Sequence, residues 1–201
     1  MPRRVSSLKA RPRERVEVEL DGEVWRTLPA EVVLRAGLDV GVELDRERAR
    51  RLRRELRRHE AMRRAVGVIR RRDVSTSELD ERLERAQVDA ATRAEVVTRL
   101  SESGAIDDTR VARNRARGLA ERSSGDSLIR HDLSARGISP ESVAAALESL
   151  EPERARAERV VERRGAGPKT ARYLAGKGFS EDTIESACGE AVAEDAPPAV
   201  F

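Results

Sequence analysis

The chain has 201 residues, a formal net charge of +3, and side chains that are 38% hydrophobic, 38% charged and only 2% aromatic. So few aromatic residues exclude one large sandwich or barrel core, and small bundles packed by aliphatic side chains fit this composition better. A single cysteine, Cys188, excludes an intramolecular disulfide, and no stretch reaches the roughly 18 apolar residues that span a membrane. We therefore expect a cytoplasmic protein with no membrane partner.

The first 45 residues differ in pattern from the rest of the chain. We expect residues 1–14 to be a flexible N-terminus and residues 15–45 to form a small β-hairpin followed by a short helix. The segments VEVEL and EVWRTL alternate apolar and polar residues around Asp21-Gly22, which is a strong hairpin signal. This pattern predicts two strands over about 15–28.

Trp25 is the aromatic residue of this segment. Strict alternation places Trp25 on the face opposite Val24 and Leu28. An exposed contact with a partner is one interpretation, but burial under the following helix is favoured because an indole has much surface to bury. That helix is predicted near 30–36 and ends at Gly37.

A strongly basic helix follows, and Asp45 is placed to cap its start. Residues 46–72 contain 13 arginines against three glutamates, a net +10 by subtraction, and 46–60 is the predicted connecting helix. One interpretation is a solvated helix from a GC-rich genome, where codon bias favours arginine over lysine. The other is an anion-facing surface, because like charges four residues apart repel each other and a polyanion or acidic protein would relieve that repulsion.

Beyond this helix, one helical unit is written three times. Leu83, Leu133 and Leu174 each precede, by five residues, an apolar residue that opens another helix. The middle copy maps onto the others by constant offsets of 50 and 41 residues without gaps, so the repeat predicts the fold. The three copies read LERAQVDAATRAEVVTRL, LSARGISPESVAAALESL and LAGKGFSEDTIESACGEA.

Turn and capping residues agree with this repeat. Gly137 and Gly178 are predicted to end the middle helices with positive φ, and the serines two residues later are predicted to cap the next helices. Gln87 stands where the first copy should carry a glycine, so this turn is expected to be strained. Ser75 with Glu78 forms a capping box ahead of the first copy.

Each copy is therefore predicted to hold three short helices. The predicted fold is mainly α, with tandem three-helix repeats that form an elongated solenoid curving to the right or to the left, preceded by the small β-hairpin segment. The predicted ranges are 61–107, 108–151 and 152–192 for the three repeats and 193–201 for a disordered tail.

Catalytic signatures are weak. His59 and His131 have no second histidine or cysteine nearby, so no metal site is expected. GAGPKT at 165–170 lacks the core of a phosphate-binding loop and is better interpreted as a helix stop followed by a proline that opens the next helix. Asp107-Asp108 is predicted to cap a helix near 109 in preference to acid-base work. We expect no enzymatic activity and no cofactor.

Several segments together resemble the RecX family of recombinase regulators, over roughly residues 10–190. They are RRDVSTSELDERL, SESGAIDDTRVARNRARGLAER, LSARGIS and LAGKGFS. The chain departs from the family pattern at Val111 and Asn114, where members usually carry aromatic residues, and at Gln87. The matching positions are Arg71, Arg72, Ser75, Glu78 and Leu79 in the first motif, and Gly104, Ile106, Asp107 and Asp108 in the second.

The resemblance implies a regulator that lies in the groove of the RecA nucleoprotein filament on single-stranded DNA. RecA strand exchange, ATP hydrolysis and coprotease activity would then be suppressed together, with effects on homologous recombination, DNA repair and the SOS response. Such a regulator could lock one state of the filament or block strand entry, and both remain open. A monomer is expected when the protein is free.

The family supplies no catalytic residues, so the partner-binding candidates rest on charge and repeat position. Each candidate could equally cap a helix C-terminus and interact with the helix dipole. The alternative function is direct, sequence-independent binding of single- or double-stranded DNA by the basic helix. The partner-binding candidates are Arg70, Arg71, Arg72, Arg113, Arg117, Arg163 and Arg164, and the nucleic-acid candidates are Arg50, Arg51, Arg54, Arg57 and Arg58.

Overall fold

The computed structural model describes residues 3–189, which contain four β-strands and ten α-helices. They form two compact units, one with the residues up to Val68 together with Leu83–Thr98, and the other with Ile69–Arg82 together with the residues from Arg99 onward. The boundary falls inside the predicted first repeat. The predicted tail at 193–201 lies outside the described residues. None of the helices in 3–189 is both long enough and apolar enough to cross a membrane.

The first unit contains a four-stranded antiparallel sheet in the order β3-β2-β1-β4. β2 and β3 are the predicted hairpin, and they turn at Asp21 and Gly22, which have φ angles of 54° and 86°. The strands are β1 (Arg3–Arg11), β2 (Arg15–Leu20), β3 (Glu23–Pro29) and β4 (Glu43–Leu44).

β1 corrects the expectation of a flexible segment at 1–14. It pairs with β2 from Val5, opposite Leu20, to Arg11, opposite Arg15. The register shifts between Val5 and Ser7, so that Val5 and Leu8, three positions apart, both reach the core. This bulge breaks the two-residue period that identifies a strand in a sequence, and the many arginines conceal it further.

A second bulge corrects the placement of Trp25. Val18 pairs with Arg26 while the next residue, Glu19, pairs with Val24, so Trp25 is the extra residue on β3. Trp25 is half-buried against the same core as Leu28, whereas Val24 is 63% exposed. Trp25 is therefore covered as expected, but it does not lie on the face opposite Leu28.

Two helices, α1 and α2, belong to the first unit together with the sheet. α1 (Ala30–Ala36) ends at Gly37, whose φ is 67°. α2 (Arg46–Ile69) begins after Asp45, whose Oδ1 accepts a hydrogen bond from the Arg48 backbone N–H at 2.8 Å. α2 is one continuous helix of 24 residues, so the predicted connecting helix runs directly into the first helix of the first repeat. The core of this unit includes Val18, Leu20, Leu28, Val32, Val33 and Leu52.

The remaining helices follow the predicted repeats. Two of them, α3 and α4, contribute residues to both units, and the second and third repeats are the triplets α5–α7 and α8–α10. Leu133 and Leu174 are fully buried in the separate cores of these two triplets. The helices are α3 (Thr76–Arg85), α4 (Ala90–Glu102), α5 (Asp108–Glu121), α6 (Asp126–Ala135), α7 (Pro140–Glu148), α8 (Glu153–Arg164), α9 (Pro168–Gly176) and α10 (Glu181–Cys188).

The predicted caps are confirmed. The Ser139 hydroxyl accepts from the Ser142 backbone N–H at 3.2 Å, and Ser180 caps α10 in the same way. In the capping box, the Ser75 N–H donates to Glu78 at 3.2 Å and the Glu78 N–H donates to the Ser75 hydroxyl at 3.1 Å. Gln87 turns with a φ of 59°, a left-handed conformation that costs a non-glycine residue energy.

Within the second unit, the end of a middle helix packs on the start of the preceding middle helix. Gly137 lies against Ser77, and Gly178 lies against Leu128. A Cβ atom on either glycine would come within 2.7 Å of its neighbour, which is closer than real Cβ atoms approach. Glycine is therefore required here both for positive φ, 68° and 78°, and for the close approach of the preceding middle helix, through the Ser77 side chain at Gly137 and the Leu128 backbone at Gly178.

Candidate functional site

The bend after α2 carries the first group of predicted partner-binding residues. Arg70, Arg71 and Arg72 follow the last residue of α2 and are all exposed. Arg70 and Arg71 have no acidic partner within residues 3–189, and the nearest carboxylate oxygen to Arg72 belongs to Glu78, 3.9 Å away. The next residue, Asp73, accepts a hydrogen bond from the Asn114 side chain at 3.2 Å. The bend therefore contacts α5.

α5 carries the second group. Arg113 and Arg117 are four residues apart, so they lie on one side of the helix, and both are exposed. Asp107 caps this helix by accepting from the Arg110 backbone N–H at 3.0 Å, as predicted. Asp108 has a role that the sequence did not reveal, because its carboxylate accepts from the backbone N–H and the hydroxyl of Thr76 at 2.8 and 2.7 Å.

The third group lies in the last turn of α8. Arg163 donates to the hydroxyl of Ser123, just beyond the end of α5, at 3.2 Å. Arg164 lies over the ring of Tyr173, 4.2 Å from its centroid, in a cation–π contact. The middle of α5 thus contacts Asp73, next to the first arginine group, and the turn after its C-terminal end contacts Arg163 of the third. A helix of 14 residues is about 21 Å long, so α5 connects the three groups over that distance.

One arginine of this surface was missed. The offsets of 50 and 41 residues make Arg122 equivalent to Arg72 and Arg163, and Arg122 is exposed at the C-cap of α5. The repeat pattern already contained this signal. We refer to the α5 basic surface as the set Arg70, Arg71, Arg72, Arg113, Arg117, Arg122, Arg163 and Arg164.

A cleft of about 320 Å³ opens beside this surface. Two of its arginines share one carboxylate, since Arg115 donates to both oxygens of Asp132 at 2.8 and 2.9 Å and Arg136 donates to Asp132 at 3.0 Å. Arg136 also donates to Glu78 at 2.8 Å. The hydrogen bond from Arg115, and to a smaller extent that from Arg136, lowers the pKa of Asp132 and keeps its carboxylate charged. We call this the Arg115–Arg136 cleft, and its lining is Arg72, Asp73, Val111, Asn114, Arg115 and Arg136.

The predicted nucleic-acid residues on α2 divide into two kinds. Arg57 lies 3.8 Å from Asp89, and Arg58 is only 23% exposed and forms an ion pair with Glu95 at 2.7 Å. Arg58 therefore offers little charge to a ligand, whereas Arg57 is 62% exposed and its ion pair is long. The other three predicted residues, Arg50, Arg51 and Arg54, are exposed.

Two further arginines of α2 belong with the exposed set. Arg46 and Arg53 are exposed and, like Arg50 and Arg54, have no acidic partner among the described residues. Positions 46, 50, 53, 54 and 57 fall on one side of a helix because they are spaced by three and four. This stripe of the first unit is the α2 stripe, made of Arg46, Arg50, Arg53 and Arg54.

His59 and Cys188, which have chemically reactive side chains, both make contacts within the fold. The Nδ1 atom of His59 lies 3.5 Å from a Glu31 oxygen, which is an ion-pair geometry when the histidine is protonated. Cys188 is half-buried beside the core of the third repeat, and burial raises the pKa of its thiol. Within residues 3–189, histidine, cysteine and acidic side chains do not gather in threes that could hold a metal ion.

Sequence comparison relates the chain to one known protein family. Residues 107–147 match the family model described as RecX, second three-helix domain. Over 134 residues the chain is 34% identical to the regulatory protein RecX of Stenotrophomonas maltophilia (strain K279a), a match that covers 62% of this chain and 82% of that protein. The regulatory protein RecX of Xanthomonas axonopodis pv. citri (strain 306) is 31% identical over 134 residues, with 62% and 83% covered.

Solved structures show the same fold. A crystal structure of regulatory protein RecX aligns with a TM-score of 0.80 over 92% of this chain and 98% of that one, at 20% sequence identity. RecX from Lactobacillus salivarius aligns with a TM-score of 0.59 over 67% and 96%, also at 20% identity. The predicted mainly helical fold, with tandem three-helix repeats after a small β-segment, is confirmed.

Proposed function

This chain belongs to the RecX family of regulatory proteins, and we propose that it binds the RecA nucleoprotein filament along its groove and inhibits RecA. Strand exchange, ATP hydrolysis and coprotease activity fall together in this proposal, because all three depend on the filament. The observation that supports it most is that α5 carries exposed arginines of its own and that it, or the turn after it, contacts Asp73 beside the first arginine group and Arg163 of the third.

The α5 basic surface has the composition of a protein-binding surface. Arginine is enriched in protein interfaces because its planar guanidinium forms paired hydrogen bonds with carboxylates and stacks on aromatic rings. Few acidic side chains neutralise this surface, since the nearest carboxylate to Arg72 is 3.9 Å away and Arg163 pairs with a hydroxyl. A row of such groups spread over repeats suits a partner that itself repeats, as the subunits of a filament do.

Binding to assembled filaments tests the proposal directly. Cognate RecA is assembled on single-stranded DNA and sedimented with increasing amounts of this protein, as the wild type and as the variant R70E/R71E/R72E. We expect the variant to bind about tenfold more weakly, with unchanged helix content by circular dichroism. Undiminished sedimentation of a folded variant would show that this bend does not contact the filament.

A second candidate function is direct binding to DNA, and the α2 stripe favours it. Arg46, Arg50, Arg53 and Arg54 are exposed on one side of α2 and lack acidic partners within the described part of the chain. Unpaired arginines on a helix attract phosphates regardless of sequence, and the affinity falls linearly on a logarithmic plot against salt. This binding requires no recombinase.

DNA alone distinguishes this second candidate. We expect R50E/R53E/R54E to weaken binding to a single-stranded oligonucleotide and to lower the slope of log K against log salt by about two units, from a loss of about 0.7 per phosphate contact. R70E/R71E/R72E makes the same change of charge outside the stripe and serves as the matched control. Equal losses in both variants would mean that net charge, and not the stripe, governs DNA binding.

A further inference from the structure

We infer that the Arg115–Arg136 cleft binds a carboxylate side chain of the partner protein. The identity of that partner as RecA rests on the proposed function, whereas the chemistry of the cleft can be tested without it. The cleft lies beside the α5 basic surface and shares Arg72 with it. An acidic side chain that enters the cleft would fix the position of the partner along α5.

The cleft offers hydrogen-bond donors that the protein itself does not use. Arg115 occupies its Nε and Nη2 atoms with Asp132, and Arg136 occupies its Nε with Asp132 and its Nη1 with Glu78. Nη1 of Arg115 and Nη2 of Arg136 make no hydrogen bond to any residue between 3 and 189. The Arg72 guanidinium adds further donors at the rim, because its nearest carboxylate oxygen is 3.9 Å away.

The two inner arginines are held in position before any ligand arrives. Asp132 bonds Arg115 through two oxygens and Arg136 through one, and both arginine side chains are largely shielded, with 37% and 24% exposed. A ligand therefore does not have to order two long side chains, which removes a cost that weakens exposed ion pairs. Val111 also lines the cleft, and because it is buried and apolar it strengthens electrostatic attraction nearby.

The charges around the cleft favour one carboxylate over a chain of phosphates. Asp73 lines the cleft, and Asp132 and Glu78 lie within 4 Å of its arginines, so each arginine has an acidic neighbour. A nucleic-acid backbone would bring several successive negative charges against these carboxylates, whereas one carboxylate brings a single charge and meets less repulsion. A single carboxylate can accept from the unused Nη1 of Arg115 and Nη2 of Arg136, and its planar geometry matches that of arginine. Phosphates are better served by the α2 stripe, where the arginines lack such neighbours.

Titration of the whole protein with a small acidic probe tests this inference. The probe is a hexaglutamate peptide with blocked ends, and the readout is the NMR signal of each arginine Nε–H group. We expect saturable shifts at Arg72, Arg115 and Arg136. N114W, which fills the cleft without changing its charge, should weaken this binding at least about fivefold, since it displaces the carboxylate from its donors. A144W, at an exposed position on α7, is the matched control.

A second variant guards against misfolding of N114W. R72Q removes a rim charge whose only carboxylate contact is long, so the Asp132 network stays intact, and it should also weaken the peptide. An oligonucleotide should shift the arginines of α2 first. Shifts confined to α2, shifts that do not saturate, or peptide affinity unchanged in both folded variants would each overturn the inference. Peptide binding without any effect on RecA would leave the cleft chemistry standing and refute the choice of RecA as partner.

Discussion

Gly178 stands at a position with two requirements that only glycine meets together. Its φ is 78°, and a Cβ atom there would lie 2.6 Å from the backbone nitrogen of Leu128 in the preceding repeat. Gly104 has a similar φ of 69° but open space around the position of its missing Cβ. Substitutions at Gly178 and at Gly104 therefore separate the energetic cost of the backbone conformation from the cost of lost contact between repeats.

We predict that G178A lowers the free energy of unfolding by about 3 kcal/mol and G104A by about 1 kcal/mol. Both carry the penalty of a left-handed alanine, and only the first also forces two repeats apart. Urea denaturation followed by circular dichroism measures both values. Equal losses would contradict the close packing of the second and third repeats at this glycine.

Arg156 is the most deeply buried charged residue among the described residues of the second unit, with 3% of its surface exposed. Its guanidinium donates to the backbone carbonyls of Ser124 and Glu151, at 2.5 and 3.0 Å, and to the carboxylate of Asp126. The ring of Phe179 lies beside it, 5.9 Å away. One side chain of the third repeat thus donates hydrogen bonds to acceptors at the start of the middle helix of the second repeat.

We predict that R156A destabilises the protein by about 3 kcal/mol, because it leaves a carboxylate and two carbonyls without their donor. R154A, on the same helix, removes an exposed pair with Glu158 and should cost less than about 0.5 kcal/mol. Thermal or urea unfolding compares them. A loss for R156A no larger than for R154A would show that Arg156 does not hold the two repeats together.

α5 and α6 are joined by the shared carboxylate of Asp132. The hydrogen bond from Arg115, with that from Arg136, lowers the pKa of Asp132 below its ordinary value of 3.8. A carboxyl group whose pKa is lower in the folded state stabilises the fold fully above its unfolded pKa. That contribution disappears as the pH falls through the folded value.

We predict that D132N flattens the acid limb of the stability profile. Wild-type stability should fall more steeply than that of D132N as the pH drops below the ordinary aspartate value of about 4, and above it the difference should stay constant. Unfolding free energies measured across this range provide the comparison. Parallel profiles would mean that the pKa of Asp132 does not change on folding.

α2 illustrates how far an element can be predicted from sequence. Its start at Asp45 and its arginine content were evident, and so were the caps and glycines of the later helices, because these signals are local and recur at fixed offsets. The pairing of Arg57 with Asp89 and of Arg58 with Glu95 was not, since it depends on tertiary contacts between distant segments. Long-range pairing therefore changed which arginines are available to a ligand.

The β-sheet was predicted less well than the repeats, and for a physical reason. β1 and the placement of Trp25 were missed because each depends on a bulge, which is decided by the pairing of two strands. The candidate surface was predicted better than the β-sheet but less completely than the repeats. Its residue types and the position of Arg122 follow from the offsets, whereas the cleft requires Arg72, Arg115 and Arg136 to meet in space.

Gln87 replaces the glycine found at the same position of the second and third repeats, and the order of the repeats along the chain explains why glycine is not needed there. Gly137 and Gly178 each approach a preceding middle helix, but no three-helix repeat precedes the first one within the described residues. The need for close approach is absent there, and only the left-handed φ of 59° remains as a cost. We predict that Q87G stabilises the protein by up to about 1 kcal/mol by relieving this backbone strain. Destabilisation by Q87G in urea would show that the glutamine side chain makes contacts worth more than the strain.

In the proposed function, the protein acts on RecA through the α5 basic surface. The most direct test is RecA ATP hydrolysis on single-stranded DNA, titrated with the wild type, R70E/R71E/R72E and R50E/R53E/R54E, while binding to the bare DNA is measured in parallel. We predict inhibition by the wild type well below one molecule per RecA monomer, at concentrations that do not coat the DNA. R70E/R71E/R72E should lose this inhibition and R50E/R53E/R54E should keep it. Inhibition that appears only when bare DNA is saturated, and that is lost only with the α2 arginines, would contradict the account and make competition for phosphates the mechanism.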